Sequence, residues 1–145
     1  MTNAEFCDFD GRKLSYIEGE QDVCFVVRVR AESQIQRPAV AVILKDRQGQ
    51  FLFTESSDLH FRKCSLSMAR CEEAEVHFKF RMPLLIRGSY TLDIAFADGI
   101  VDDHVQHHWI HDAIQIQCTH GRHVVGIVGF SNLTILWKTQ CGTKK

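Results

Sequence analysis

The sequence predicts an all-β fold, an antiparallel sandwich in a single domain spanning residues 1–145. Apolar residues fall on every second position in run after run, the period of a half-buried strand. About seven or eight such runs recur at intervals of about ten to twenty residues. No segment carries a helical stripe. A chain of 145 residues is one domain's worth and long enough to bury a substantial core.

Taken in order, Ala4–Phe9 is a short strand closed by the turn pair Asp10-Gly11. Val23–Glu32 sets Val23, Phe25, Val27 and Val29 against Cys24, Val26, Arg28 and Arg30, giving one core face and one polar face. Pro38 opens Ala39–Lys45, where its missing N–H costs no ladder bond, and Val40, Val42 and Leu44 point inward. Asp46–Gly49 then turns the chain into Phe51–Thr54. Glu55–Glu73 has no sustained period and reads as a long excursion with one short helix near Ser67–Glu73. Alternation resumes at Val76, Phe78, Phe80 and Met82, followed by Pro83 and a loop to Gly88. Tyr90, Leu92, Ile94 and Phe96 form the next inward row, which Ala97-Asp98-Gly99 ends. After a histidine-rich loop, Ile110, Ile114 and Ile116 share one parity and are expected to pair back onto that row. Asp112 carries the same apolar parity. An unpaired buried carboxylate is costly, so Asp112 is expected where the strand begins, within reach of water or a partner. In the tail, punctuated by Gly121, Gly126 and Gly129, only Leu133–Trp137 reads as a strand.

Lys and Arg total 17 against 18 Asp and Glu, so nothing drives counterion release from nucleic acid or attraction to an anionic lipid surface. No nucleic-acid partner is expected. The longest apolar runs, such as Pro38–Leu44, fall far short of the roughly twenty residues that span a bilayer, and the N-terminus has no cationic and apolar signal pattern. The chain is expected to be soluble and unexported. Its 6 cysteines contain no Cys-x-x-Cys pair and are expected as free thiols. Asn132-Leu133-Thr134 matches a glycosylation acceptor, which matters only in a secreted protein. Gly121 and Gly126 lack the following Lys-Ser or Lys-Thr that a phosphate loop needs. His104/His108 and His107/His111 have the spacing of helical metal pairs, but the pattern around them is a strand's, on which only His107, Trp109 and His111 share a face. No metal or other cofactor is expected. A GxSxG-like elbow is absent and no catalytic residue is assigned.

In order along the chain, PAVAVILKDRQGQFLFTESS, VHFKFRMPLLIRGSYTLDIAFADG and HHWIHDA resemble the C-terminal domain of the Wzt type, the ATP-binding subunit of ABC transporters that export O-antigen polysaccharide. The resemblance covers about Ala4–Gln117. It implies an immunoglobulin-like β-sandwich, and a non-catalytic carbohydrate-binding module that recognises the modified, terminal end of the O-antigen of a lipopolysaccharide. It also implies a homodimer, with the tail of residues 120–145 exchanged between protomers. In the parent subunit a nucleotide-binding ATPase domain should precede this segment and meet the membrane-spanning transporter subunit, in the cytoplasm at the periphery of the inner membrane. A dimerisation or scaffold domain without ligand, and a metal-dependent β-sandwich enzyme, are the alternatives.

If the strands follow immunoglobulin order, the runs starting at Ala39, Ser89 and Trp109 lie side by side, while those at Val23 and Glu75 belong to the other sheet. The outward residues of the first sheet are then Ala39, Ala41, Ile43 and Lys45; Ser89, Thr91, Asp93, Ala95 and Ala97; and Trp109, His111, Ala113, Gln115 and Gln117. Alanine is a poor strand former that a solvated face does not need, so its recurrence marks a trough in which something lies. An indole covers the apolar face of a sugar ring, and planar polar groups suit hydroxyls. Thr91, Asp93, Trp109, His111, Gln115, Gln117 and Lys45 are therefore the candidate carbohydrate-binding residues. The opposite sheet offers Arg28, Arg30, His77, Lys79 and Arg81, which read as an ordinary solvated face.

Titrating thiols in denaturant without reductant should count 6 per chain; a lower count would reveal a disulfide.

Overall fold

Two sheets face one another across an apolar core in the computed structural model, which describes residues 3–61, 63–100, 103–119, 126, 128–129, 133–139 and 142–144. The strands are β1 (Asn3–Asp8), β2 (Tyr16–Ile17), β3 (Asp22–Arg30), β4 (Pro38–Lys45), β5 (Phe51–Ser56), β6 (Glu73–Arg81), β7 (Leu84–Leu85), β8 (Gly88–Ile100), β9 (Asp103–Cys118), β10 (Val128–Gly129), β11 (Trp137–Thr139) and β12 (Gly142–Lys144). One short helix, α1 (Ser57–Phe61), follows β5. The smaller main sheet has the order β1-β3-β6 and the larger β2-β9-β8-β4-β5, in which β2 joins β9 in parallel and every other pairing is antiparallel. The all-β sandwich and its expected strand order are both present: the runs beginning near Ala39, Ser89 and Trp109 are neighbours, and those near Val23 and Glu75 lie in the other sheet.

Period-2 alternation produces this arrangement because each inward row has somewhere to go. Phe25, Val23 and Val27 of β3 meet Leu44 of β4, Leu92 and Ile94 of β8, and Ile116 of β9, all fully buried. Aromatic rings run through the layer from Phe6 to Phe25 (centroids 5.2 Å apart), Phe25 to Phe80 (5.4 Å) and Phe80 to Phe53 (5.7 Å). Val76, Phe78 and Phe80 are only half-buried. They lie on β6, an edge strand, beside an open cleft of about 810 Å³ whose lining also includes Phe53 of β5 and Phe61 of α1.

Four expectations are corrected. First, Ala97-Asp98-Gly99 does not end its strand. β8 continues to Ile100 and pairs with β9 from Asp103 onward. The Asp98 carboxylate accepts the backbone N–H groups of Gln36 (3.1 Å) and Arg37 (2.8 Å), and Gly99 continues the strand at a φ of 126°. Apolar alternation cannot report this extension, because Asp98 and Gly99 supply pairing without apolar side chains. Second, the helix near Ser67–Glu73 is absent. Met68 instead exchanges two backbone hydrogen bonds with Ile35, each 2.9 Å, and burying those two apolar side chains closes the excursion. The helix that does form, α1, has 5 residues, too few to show a period. Third, Asp112 lies inside β9, not at its start, for a reason given below. Fourth, Leu133–Leu136 lies outside any strand, and β11 begins only at Trp137, paired with β12. A strand needs a ladder partner as well as a pattern, and among the described residues none faces Leu133–Leu136. Gly121 and Cys141 lie outside the described residues.

Cys7, Cys24, Cys64, Cys71 and Cys118 are free thiols. Burial, and then the neighbouring Cys7, push the Cys24 thiol up to about 11, so it is an inert packing group.

Candidate functional site

The outer face of the larger sheet is built around an irregularity in β9. The pairing steps from Leu92↔Ile114 to Ile94↔Ile110, so His111, Asp112 and Ala113 together face the single residue Asp93. Asp112 absorbs the bulge with a φ of 52°, a left-handed conformation that aspartate tolerates better than most residues. Two extra residues preserve the parity, which keeps Ile110, Ile114 and Ile116 on one row. They also turn Asp112, the one residue out of pattern, away from the core, and its side chain is 58% exposed.

Asp93 is the centre of the cluster. It is 1% exposed on a sheet face, and a carboxylate in that position requires donors. Its Oδ1 accepts from Lys45 Nζ at 2.8 Å and from the Asp112 backbone N–H at 2.8 Å. Its Oδ2 accepts from Trp109 Nε1 at 3.3 Å and lies 2.9 Å from His111 Nδ1. Lys45 Nζ also donates to Asp112 Oδ1 at 3.0 Å. The Trp109 and His111 rings stack, with centroids 5.4 Å apart and planes 29° apart. Trp109 is 37% exposed.

Cross-strand register places Trp109 opposite Ala95, Ala95 opposite Ala41, and Ala41 opposite Ser56, a row of small residues running away from the indole. Ala41 and Ala95 are half-buried and form the open part of the trough. Ala39 and Ala97, expected in the same trough, are buried and do not line it. Ala113, placed outward by parity, packs instead against the core cluster at the bulge. One row along, Gln115 lies opposite Thr91, and Thr91 opposite Lys45. In the next row Gln117 Nε2 donates to Ser89 Oγ at 2.8 Å. All seven candidate residues thus lie on one face, with Asp93 beneath Lys45, Trp109 and His111. The sequence does not reveal the bulge or the link from Lys45 through Asp93 to Asp112; the only signal was Asp112 breaking an apolar row.

The opposite sheet has a different character. Arg28 pairs with Glu5 (3.1 Å) and Glu75 (2.8 Å), Arg81 with Asp22 (3.4 Å) and Glu20 (3.7 Å), and the Lys79 ammonium lies 5.7 Å from the Phe9 ring centre. These cations are engaged by their own face, as a solvated outer layer would be. Among the described residues no three His, Cys, Asp or Glu side chains gather where a metal ion would be held. The side chains of His104 and His107, which the metal-pair spacings invoke, lie outside the described residues.

The family model of the Wzt C-terminal domain matches residues 1–130. The chain belongs to the Wzt C-terminal domain family. A solved structure, the "Crystal structure of the C-terminal domain of wzt", shares the fold with a TM-score of 0.80 at 19% identity, over 91% of this chain and 80% of that one. No curated protein matches the chain. The Wzt C-terminal domain is a non-catalytic part of an ABC-transporter subunit, so this chain is a carbohydrate-binding domain of an O-antigen transporter and not an enzyme.

The electrostatics of this Wzt domain follow from its central carboxylate. Burial alone would push the Asp93 carboxyl up, but donation from Lys45, the Asp112 N–H, His111 and Trp109 outweighs it and lowers the group to about 2. Hydrogen bonds to Asp93 and then Asp112 raise the Lys45 ammonium above its ordinary value, while Lys45 and then Thr91 lower the Asp112 carboxyl. A folded-state value below the unfolded one stabilises the fold above the ordinary carboxylate range, and that contribution is lost as pH falls through about 2. Urea unfolding at stepped pH should therefore show wild-type stability falling between about pH 4 and pH 2. Asp93→Asn should cost about 2 kcal/mol at neutral pH and flatten that acid limb. An unchanged acid limb in the variant would mean that other carboxylates set it.

Proposed function

We propose that the outer face of β9, β8 and β4 binds the modified, terminal end of an O-antigen polysaccharide and presents it for export. The observation that carries this reading is a half-exposed indole, Trp109, braced by the His111 ring and bordered by Ala95 and Ala41 across two neighbouring strands. A flat apolar ring beside a shallow trough suits a sugar's apolar face, and small residues leave the room it needs. Gln115, Gln117 and Thr91 offer hydroxyl partners in the adjoining rows, with Lys45 at the border. In this reading the parent subunit carries the ATPase domain and docks on the membrane-spanning transporter subunit, at the cytoplasmic side of the inner membrane.

O-polysaccharide purified from the lipopolysaccharide of the source strain should bind the domain in calorimetry. Trp109→Ala, or Ala95 replaced by Phe, should weaken that binding at least about tenfold, a loss of about 1.4 kcal/mol or more, while the far-ultraviolet circular dichroism stays unchanged. Normal binding by both variants, with loss in Arg30→Ala or Lys79→Ala instead, would place the site on the other sheet.

A homodimer completed by the tail accompanies this reading. Leu133, Ile135, Leu136 and Trp137 are 50%, 71%, 48% and 71% exposed, an apolar run that a monomer gains nothing by leaving in water. The cleft between the edge strands β5 and β6 has the apolar lining and the unpaired edges to receive such a segment from a second copy. Light scattering at tens of micromolar, an order-of-magnitude working range, should give twice the chain mass, and deleting residues 133–145 should give a monomer. A monomeric full chain would rule the dimer out.

A further inference from the structure

We propose that Asp93 is a positioning residue that never touches the polysaccharide: from beneath the sheet face it fixes which atoms of Trp109 and His111 the polysaccharide meets. The inference rests on the glycan-binding reading above and narrows it.

An ionised carboxylate has about four lone-pair sites. In Asp93 each has a protein donor, namely Lys45 Nζ and the Asp112 N–H on Oδ1, and Trp109 Nε1 and His111 Nδ1 on Oδ2. At 1% exposure no sugar hydroxyl reaches it without first displacing one of them. The two ring contacts have fixed senses. An indole nitrogen only donates, so the Trp109 N–H is turned toward the sheet and is not offered to a ligand. A carboxylate only accepts, so His111 carries a proton on Nδ1, and its other nitrogen, Nε2, belongs to the solvent side of a side chain that is 70% exposed. One buried group therefore sets the orientation of two exposed rings and brings them into their stacked pair. At the ring pair itself the polysaccharide meets ring surface and a single polar atom, His111 Nε2, with the hydroxyl partners of the adjoining rows beyond it. That arrangement selects a sugar with an apolar patch and one polar group beside it, and it selects by shape more than by charge.

The bulge serves the same end. Without two extra residues in β9, the Asp112 N–H could not reach Asp93, and His111 would not share its Oδ2 with Trp109. Lys45 supplies the positive charge that keeps the carboxylate ionised under the rings, and it is held in turn by Asp112.

Asp93→Asn tests the proposal. The amide retains one acceptor oxygen and turns an NH2 toward groups that are themselves donors, so the rings lose their common anchor. Nitrogen-15 NMR of the free protein should show His111 protonated on Nδ1, and a Trp109 indole proton slow to exchange. In Asp93→Asn the histidine should become a mixture of tautomers and the indole proton should exchange at least about tenfold faster. Binding of the purified O-polysaccharide should fall about ten- to a hundredfold, although no ligand contact has been removed. Trp109→Phe, which keeps a ring but deletes the N–H, gives a second route if Asp93→Asn does not fold: by itself it should weaken binding severalfold. Where Asp93→Asn folds, its loss should shrink in the Trp109→Phe background. Full additivity of the two substitutions, or loss of binding in Asp93→Asn with both ring signals unchanged, would overturn the proposal in favour of direct contact. Unchanged binding in both variants would overturn it outright. If the wild-type protein binds no O-polysaccharide, the glycan reading fails, while the ring signals still decide whether Asp93 holds Trp109 and His111.

Discussion

A carboxylate buried on the outer face of a sheet is the constraint around which this half of the molecule is arranged. Leaving Asp93 charged and unpaired at that depth would cost several kcal/mol, so the surrounding chain is committed to supplying donors. Three come from side chains on β4 and β9, and one is a backbone N–H that only a bulge can deliver. The left-handed turn at Asp112 costs about 1 kcal/mol by itself, which the hydrogen bond it enables and the ion pair it makes with Lys45 offset. Two exposed rings, a lysine and a bulge are thus parts of one solution to one desolvation problem.

The two outer faces of the sandwich solve different problems. On β1, β3 and β6 long cations lie down on neighbouring carboxylates and on Phe9, filling the surface with mutually satisfied charge. Exposed pairs of this kind contribute little stability each. On β9, β8 and β4 the charges are gathered under one spot, and the adjoining positions are alanines. The result is a stacked ring pair with half-buried alanines beside it.

The edges carry a third consequence. β5 and β6 both end their sheets on the same side, and the half-buried Phe78 and Phe80 between them are not closed over by their own chain among the described residues. An edge strand nine residues long is a template for further pairing, and exposed apolar residues at 133–137 are the matching liability elsewhere in the chain.

Much of the fold was legible in the residues themselves. Alternation at Val23–Val29, Val40–Leu44 and Tyr90–Phe96 specifies strands and their inward faces, because a row buried on one side leaves a period of two and no other register keeps it dry. The turn at Asp46–Gly49 was equally plain, since it sits between two such runs. The outward row containing Trp109, Ala95 and Ala41 follows from the same parity once strand order is known. The sequence did not carry the features that depend on a partner across space. Asp98 extends β8 by binding backbone of the β4 approach, Met68 closes the excursion against Ile35, and Leu133–Leu136 finds no ladder partner among the described residues. The bulge is the sharpest case: inserting two residues leaves parity intact, so periodicity cannot register it, and Asp112 merely looks misplaced. What the sequence determined by itself is which residues face in and which face out. That Asp93 lies beneath Trp109 and His111, with every oxygen site taken, was decided only by the tertiary structure, because it depends on three strands meeting at one register.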